Sequence, residues 1–195
     1  WTDKDVLHIF PHWNWNLGQT VDVWAFTNCD EVELFLNGNS LGRQSKSRDD
    51  FNLVWKVQFE EGTLLGVGYR NGTEIMRSEV RTAGEPAALT ISPDRAEIKA
   101  DGSDLSFITV TVTDKDNNTV PHAGNMVRFS IEGPGTIAGV DNGSQTSMEP
   151  FKADFRKAYN GRCLVVVRAG KEKGEIKVTA SSEGLPDATV ILKLK

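Results

Sequence analysis

The sequence has few cysteines and no long apolar run. Only Cys29 and Cys163 occur in 195 residues, and their wide separation predicts two small buried side chains rather than a bridge. No apolar stretch approaches the roughly 20 residues that cross a bilayer, which excludes a membrane-spanning helix. The chain begins at Trp1 without a basic and apolar leader, so it is either processed or excised, and we expect a piece of a longer polypeptide.

An excess of positive charge is also missing. The net charge is −5, and the first 85 residues hold 8 Lys and Arg against 13 Asp and Glu, whereas residues 86–195 hold 14 of each. A nucleic-acid-binding protein needs a basic patch or stripe to meet the phosphates. The acidic first half therefore argues against nucleic acid as a partner.

Tryptophan is absent from the whole second half. All five tryptophans lie at or before Trp55, and the later residues are rich in Val, Ile and Thr instead. Gly84 and Pro86 stand close together where this composition changes, as expected of a linker. The sequence therefore predicts two domains, residues 1–84 and 85–195.

The first half alternates apolar and polar residues with a period of two. This pattern is typical of half-buried strands and runs through residues 21–26, 32–36 and 52–59, and residues 63–69 and 74–82 are further predicted strands. Polar residues 27–30 are predicted to close a hairpin between the first two runs, and Asp49-Asp50 is predicted to form a turn. Asn37-Gly38 and Asn71-Gly72 are tight-turn signals. The first domain is predicted to be a small antiparallel sandwich.

The second half contains seven candidate strands separated by turn signals. They are residues 88–92, 104–113, 126–132, 136–140, 163–169, 175–181 and 188–194. Between residues 149 and 159 aromatic side chains recur every fourth position, which predicts a short helical turn or an irregular loop. Seven short strands in about 108 residues favour an immunoglobulin-like sandwich. The predicted fold is all-β, with two antiparallel β-sandwich domains in tandem.

Several motifs together resemble a known enzyme family. The segments His8–Trp15, Val23-Trp24 and Asn28–Gly42 are similar to the domain that follows the catalytic barrel in bacterial glycoside hydrolase family 2 enzymes of the β-galactosidase type. Segments 139–143 and 156–164, with Glu149, resemble a further immunoglobulin-like domain at the C-terminus of the same enzymes. The resemblance implies that the partner of this chain is the catalytic barrel of its own polypeptide. It also implies a periplasmic or secreted parent, and it leaves homo-oligomer contacts open.

The resemblance transfers no catalytic residue to this chain. In family 2 the acid/base glutamate follows an asparagine, and the sequence contains no Asn-Glu dipeptide. A catalytic barrel alone takes about 200–250 residues with alternating helices. Glu31 and Glu33 share one face of a strand and are expected to be a solvated surface rather than a catalytic pair. We therefore expect no catalytic residues here.

Tryptophans of the first half are candidates for carbohydrate binding. Trp13 and Trp15 lie on an irregular segment, since Pro11 excludes a helix or a central strand there, and an indole can stack on the flat face of a sugar ring. The alternative is that they pack inside the domain or against the catalytic domain. Trp24 is a further candidate for carbohydrate binding, although with Phe26 and Phe35 it is expected to form an aromatic outer face that favours a domain interface over a ligand site.

A cluster of polar residues in the second half predicts a loop clamp. Its members are Asp141, Asn142, Glu149, Arg156 and Arg162. Charge-assisted hydrogen bonds among them would hold the long loop to the sheet, and contact with a partner domain is the alternative.

Two patterns suggest a metal site, and both are incomplete. Asp114, Asp116 and Asn118 match the start of a calcium loop, but Thr119 stands where that loop needs glycine and Asn125 where it needs glutamate, so a polar turn is predicted. His8 and His12 have no third ligand nearby. No metal and no cofactor are expected.

The sequence thus predicts a non-catalytic C-terminal segment of a family 2 glycoside hydrolase. A carbohydrate-binding module that uses exposed tryptophans is the first alternative. An adhesin-like cell-surface repeat is the second, because residues 114–123 also resemble invasin-type repeats.

Overall fold

The structure is a computed structural model that describes residues 4–47 and 50–195. Every regular element in this part of the chain is a strand, so the all-β prediction is confirmed. No helix there is long and apolar enough to cross a membrane. Asp49, half of the predicted Asp49-Asp50 turn, lies outside the described residues. The chain divides into two compact units between Thr82 and Ala83.

The described residues of unit 1 form seven strands. They are β1 (Leu7–Phe10), β2 (Thr20–Thr27), β3 (Glu31–Leu36), β4 (Asn39–Ser45), β5 (Asn52–Gln58), β6 (Thr63–Arg70) and β7 (Thr73–Arg81). One antiparallel sheet has the order β1-β2-β5, and the other has the order β4-β3-β6-β7. Alternate residues of both sheets form a single apolar core, because successive side chains of a strand point to opposite faces.

The two sheets of unit 1 approach closely at glycines of β6. A Cβ added to Gly66 would lie 2.6 Å from Ile9 Cδ1, and one added to Gly68 would lie 2.6 Å from Cys29 Sγ. These glycines therefore leave room for the side chains of the facing sheet. Cys29 is a buried free thiol, as the sequence predicts.

The predicted hairpin between β2 and β3 is wrong. The β2 strand pairs with β1 and β5, whereas β3 pairs with β4 and β6, so residues 28–30 carry the chain from one sheet to the other. The Asn28 N–H donates to Val6 O and the Asp30 N–H to Tyr69 O, which anchors this crossing to both sheets. The aromatic face predicted from Trp24, Phe26 and Phe35 divides for the same reason, since Phe35 lies on β3.

Both Asn-Gly turns form as predicted. Asn37 and Gly38 join β3 to β4, and Asn71 and Gly72 join β6 to β7. All four residues have positive φ angles, between 50° and 83°, as a type I′ turn requires at both central positions.

Unit 2 contains nine strands. They are β8 (Ala88–Pro93), β9 (Glu97–Ile98), β10 (Leu105–Thr113), β11 (Met126–Glu132), β12 (Gly135–Asp141), β13 (Phe155–Lys157), β14 (Arg162–Ala169), β15 (Gly174–Ser182) and β16 (Leu185–Leu194). One sheet has the order β12-β14-β10-β8 and the other the order β13-β11-β15-β16-β9. Buried Val, Ile, Leu and Ala side chains from both sheets fill one core, and Cys163 lies among them as a free thiol.

The segment with the four-residue aromatic repeat is irregular rather than helical. It runs as turns and bends until β13, which pairs with the edge of β11. Phe151 and Tyr159 are largely exposed, so the repeat does not mark a buried helix face. This segment supplies part of the polar cluster described next.

Candidate functional site

Trp13 belongs to the core of unit 1. Its side chain is fully buried, its ring packs edge-on against Phe59 at 5.2 Å between centroids, and Nε1 donates to Glu60 O at 2.9 Å. A buried indole with its N–H satisfied has no face to offer a sugar. The carbohydrate-binding prediction is therefore wrong for Trp13, and the packing alternative describes it.

Trp15 is only partly buried and is fixed by its own loop. Its ring stacks on His12 at 4.6 Å between centroids, with 17° between the planes, and its Nε1 donates to His12 O at 2.8 Å. The segment between β1 and β2 therefore places the Trp13 indole in the core and the Trp15 indole at the surface. Trp15 also touches the core from outside.

An apolar surface covers the outer side of the β1-β2-β5 sheet. We name it the aromatic face and define it as Phe10, Trp24, Phe26 and Val54. Strand register places Phe10 opposite Trp24 and Trp24 opposite Val54. The rings of Trp24 and Phe26 lie almost parallel, with centroids 6.2 Å apart. Phe10 is 51% exposed, Phe26 38% and Val54 36%, so most of this face meets solvent in the isolated chain.

The outer side of the other sheet in unit 1 is polar by contrast. Arg43 forms an ion pair with Glu31, and its guanidinium lies 3.6 Å from the centre of the Tyr69 ring. Ser40 Oγ donates to Glu33 at 2.6 Å, and Tyr69 OH donates to the same carboxylate at 3.4 Å. Burial, followed by the nearby charge of Glu33, raises the pKa of Tyr69 above its usual value. Both glutamates are thus engaged in surface contacts, in agreement with a solvated face.

The predicted clamp of unit 2 assembles around a fully buried arginine. Arg156 Nη1 donates to Glu149 O at 2.9 Å, and Nη2 donates to Asn142 Oδ1 at 3.2 Å and to Asp141 Oδ1 at 3.4 Å. The Phe151 ring lies 5.1 Å from the guanidinium carbon. Nε has no hydrogen-bond partner, and Glu149 Oε2 lies 3.8 Å from it. Arg156 therefore ties β13 to residues on either side of the long loop.

Arg162 is not part of this network. Its side chain is exposed, and its backbone pairs with Tyr159 in a local antiparallel bridge. It borders a shallow depression that also touches Asp141 and Asn142. The sequence-based grouping of the five residues holds for the other four.

A polar groove lies beside the clamp, and sequence reasoning missed it. We name it the Tyr159 groove; its volume is about 600 Å³, and its polar lining includes Asn142, Ser144, Glu149, Lys157, Tyr159 and Asn160. The rest of the lining comes from residues 121–124 and from Thr146, Ser147 and Ala158. Three distant segments build it, so no local sequence pattern marks it. The only local signal is the turn after Tyr159, where Asn160 and Gly161 have positive φ angles.

The carboxylate of Asp114 is satisfied by the protein itself. Oδ1 accepts hydrogen bonds from the N–H groups of Asp116 and Asn118, and Oδ2 accepts from the Gly84 N–H and from Asn118 Nδ2. Burial alone would raise the pKa of Asp114, but these hydrogen bonds lower it below its usual value. The residues form the polar turn that the sequence predicts. Among the described residues, no three His, Cys, Asp or Glu side chains gather as a metal site requires.

Comparison with known protein families identifies both halves of the chain. The family model "Glycoside hydrolase family 2 C-terminal domain 5" matches residues 89–191, and a domain of unknown function, DUF4982, matches residues 18–76. The first match covers more than half of the chain and lies in unit 2, where the clamp and the Tyr159 groove are found.

Individual relatives extend this similarity over nearly the whole chain. The β-galactosidase BoGH2A of Bacteroides ovatus is 49% identical over 97% of this chain, which corresponds to 22% of that protein. A putative β-glucuronidase of Formosa agariphila is 32% identical over 93% of this chain and 18% of its own length. The chain thus spans about a fifth of the length of these relatives.

A solved structure shows the same fold. The crystal structure of a glycosyl hydrolase family 2 member from Bacteroides cellulosilyticus DSM 14838 matches 99% of this chain and 29% of its own, with a TM-score of 0.90 and 40% identity. The sequence-based family prediction is confirmed. This chain belongs to glycoside hydrolase family 2, of which it represents C-terminal β-domains.

Proposed function

We propose that this chain is a non-catalytic accessory segment that braces the catalytic region of a family 2 glycoside hydrolase through its aromatic face. The observation that carries the proposal is the exposure of Phe10, Phe26 and Val54 side by side on one sheet. The outer face of an antiparallel sheet is ordinarily polar. A contiguous exposed apolar patch marks an interaction surface.

The rest of the polypeptide is the occupant that fits this surface best. Relatives contain roughly four-fifths of their length outside the matched region, so a large partner is covalently available. Charge on the face is limited to a solvated pair between Lys56 and Asp22, 3.5 Å apart, which lies at the rim of the apolar residues. Polar rims around apolar centres are typical of protein interfaces.

The parent enzyme is proposed to hydrolyse terminal β-galactosides. Support comes from the higher identity to the relative named a β-galactosidase, 49% against 32% for the one named a putative β-glucuronidase. Residence of the parent in the periplasm or outside the cell stays a prediction from family resemblance.

Carbohydrate binding by Trp15 and Trp24 is the second candidate function. Both indoles are partly exposed, and the stack on His12 holds the Trp15 ring in a fixed orientation. A titration of the chain with galactosides, followed by tryptophan fluorescence, tests it. Quenching that disappears in Trp15→Ala would support this function, and an unchanged spectrum at millimolar sugar would exclude it.

The bracing role is tested by removing the apolar face without disturbing the strands. Phe26→Thr combined with Val54→Thr replaces two exposed apolar side chains with a good strand former. In the isolated chain we expect the melting temperature to change by only about 2–4 °C, since surface substitutions cost little. In the full-length enzyme we expect a larger drop in melting temperature and a several-fold shorter half-life of activity at elevated temperature.

Phe107→Thr is the matched control. Phe107 on β10 is similarly exposed but belongs to unit 2 and not to the aromatic face. It should leave the half-life of the full-length enzyme unchanged. Equal effects of the face and control variants on the full-length enzyme would contradict the proposed role of the aromatic face.

A further inference from the structure

We propose that the Tyr159 groove of unit 2 is a binding site for neutral carbohydrate. The groove has a volume of about 600 Å³, within the roughly 300–1,000 Å³ that small-ligand clefts occupy. Its lining combines hydroxyl, amide, carboxylate and ammonium groups with the rings of Tyr159 and His122. This composition suits a ligand that has many hydroxyls and a weakly polar ring face, which is the chemistry of a sugar.

Tyr159 supplies the apolar surface of the groove. Its side chain is 48% exposed, and its backbone position is fixed by hydrogen bonds in both directions with Arg162, at 2.8 and 3.1 Å. The following turn is equally constrained, because a Cβ on Gly161 would lie 2.3 Å from Val120 O. An exposed aromatic ring on a rigid turn contributes contact area at small conformational cost.

The clamp orients polar groups that line the groove. Arg156 donates to Asn142 Oδ1, and Asn142 Nδ2 in turn donates to Lys157 O at 2.9 Å. Glu149 Oε2 accepts from the Lys157 N–H at 3.3 Å and from Ser147 Oγ at 3.4 Å. Two lining side chains, Asn142 and Glu149, are therefore oriented before any ligand arrives. Such preorganisation reduces the entropy lost on binding.

The charges of the groove favour a neutral ligand over an acidic one. Glu149 and Lys157 line the same wall, so their formal charges cancel. The guanidinium of Arg156 is fully buried beneath the lining and is already engaged by Asp141, Asn142 and Glu149. The lining therefore offers one acidic acceptor and one ammonium donor, and sugar hydroxyls can both donate to Glu149 and accept from Lys157.

This site is independent of the bracing role. It lies wholly within unit 2, whereas the aromatic face lies on the β1-β2-β5 sheet of unit 1. The two proposals can fail separately, since one is measured by sugar binding to this chain and the other by the stability of the full-length enzyme.

The experiment is a calorimetric and NMR titration of the 195-residue chain with methyl β-galactoside, lactose and cellobiose. We expect a dissociation constant in the millimolar range for at least one of them, with amide shifts confined to residues of the groove. Tyr159→Ala should weaken binding about tenfold, a loss of about 1.4 kcal/mol in binding free energy. Tyr159→Phe keeps the ring and should retain affinity within about threefold, since the loss of one exposed hydrogen bond is a small change.

Two further variants separate the groove from other surfaces. Glu149→Gln should weaken binding, because it replaces one acceptor of the preorganised pair with a donor. Phe107→Thr, at an exposed position of β10 that does not line the groove, should leave binding unchanged. Absence of binding to all three sugars at about 50 mM, far above a millimolar dissociation constant, would overturn the proposal. Binding that survives Tyr159→Ala, or that Phe107→Thr abolishes, would also overturn it.

Discussion

Two large side chains show at the residue scale how each unit is held together. Trp13 and Arg156 are both fully buried, and both make hydrogen bonds to backbone carbonyls, of Glu60 and Glu149 respectively. The aromatic ring of Trp13 packs in the apolar core of unit 1. Arg156 instead places a charge inside unit 2, which is tolerated only because acidic and amide oxygens surround it.

Truncation of Trp13 should destabilise unit 1 strongly. Trp13→Ala leaves a cavity and removes the partner of Glu60 O, and substitutions of this kind cost about 3–5 kcal/mol. Trp24→Ala, on the exposed face of the neighbouring sheet, should cost about 1 kcal/mol or less. Urea unfolding followed by tryptophan fluorescence measures both, since all five tryptophans lie at or before Trp55. Equal losses of unfolding free energy in the two variants would contradict the placement of Trp13 in the core.

Loss of the clamp arginine should destabilise unit 2. Arg156→Met keeps the aliphatic volume but removes the guanidinium that donates to Glu149 O, Asp141 and Asn142, and breaking a buried ion pair costs about 3–5 kcal/mol. We expect the lower end, because the carboxylate of Asp141 is half exposed. Arg168→Met, at an exposed position of β14, is the control and should change the unfolding free energy by about 0.5 kcal/mol or less. Unfolding by urea, followed by circular dichroism, checks both variants.

The two thiols should be inert in the native protein. Cys29 and Cys163 are buried and free, and burial raises the pKa of Cys163 to about 12. The thiolate is the reactive form, so Cys163 remains protonated throughout the neutral and mildly alkaline range. A thiol reagent at pH 8 should modify neither cysteine in buffer and both in concentrated urea. Rapid native modification of Cys163 would contradict its placement in the core.

At the scale of the element, most strands were predictable from the alternation of apolar and polar residues. In runs 21–26, 32–36 and 52–59 every second residue is buried, as expected when alternation with a period of two gives a strand one apolar face. Which strands pair with each other was harder to predict from the sequence. Residues 27–30 look like a hairpin loop locally, and only contacts with Val6 and Tyr69, distant in sequence, direct the chain to the other sheet.

Short edge strands, and sites built from several segments, also depend on contacts distant in sequence and gave no local signal. The β9 and β13 strands have two and three residues, too few for a periodic pattern, and exist because a longer neighbour pairs with them. The clamp was recognisable because opposite charges cluster in a few short segments. The Tyr159 groove was not, since its walls come from three separate segments. Burial of Trp13 could not be inferred from an irregular segment without periodicity.

The polar turn after β10 makes unit 2 sensitive to acid. The folded-state pKa of Asp114 is lowered by its hydrogen bonds, so the carboxylate stabilises the fold above its unfolded pKa, and this contribution is lost as pH falls through the folded pKa. Asp114→Asn should cost about 1–3 kcal/mol at pH 7, since two donors lose their acceptor. The difference from the parent should shrink as the pH falls through the lowered folded-state pKa of Asp114, because the parent is then also protonated.

Asp116→Asn provides the control for this turn. Asp116 is exposed, and the turn is held by its backbone N–H and not by its carboxylate. The variant should unfold like the parent across the whole pH range in urea titrations followed by circular dichroism. A constant gap between Asp114→Asn and the parent from pH 7 to pH 2 would contradict the role of the ionised carboxylate.

At the scale of the whole molecule, the two units divide the proposed tasks. Unit 1 presents an apolar surface suited to the catalytic region of its own polypeptide, and unit 2 presents a polar groove suited to a sugar. Neither surface brings two carboxylates across a cleft, as hydrolysis of a glycoside by a retaining enzyme requires. Both proposals therefore give the chain an accessory role and leave catalysis to the rest of the polypeptide.

The most direct measurement compares hydrolysis of a chromogenic β-galactoside by the isolated 195-residue chain, by the full-length enzyme and by a buffer blank. The account predicts that the chain matches the blank while the full-length enzyme turns the substrate over. Hydrolysis by the purified chain well above the blank, proportional to its concentration, would contradict the account.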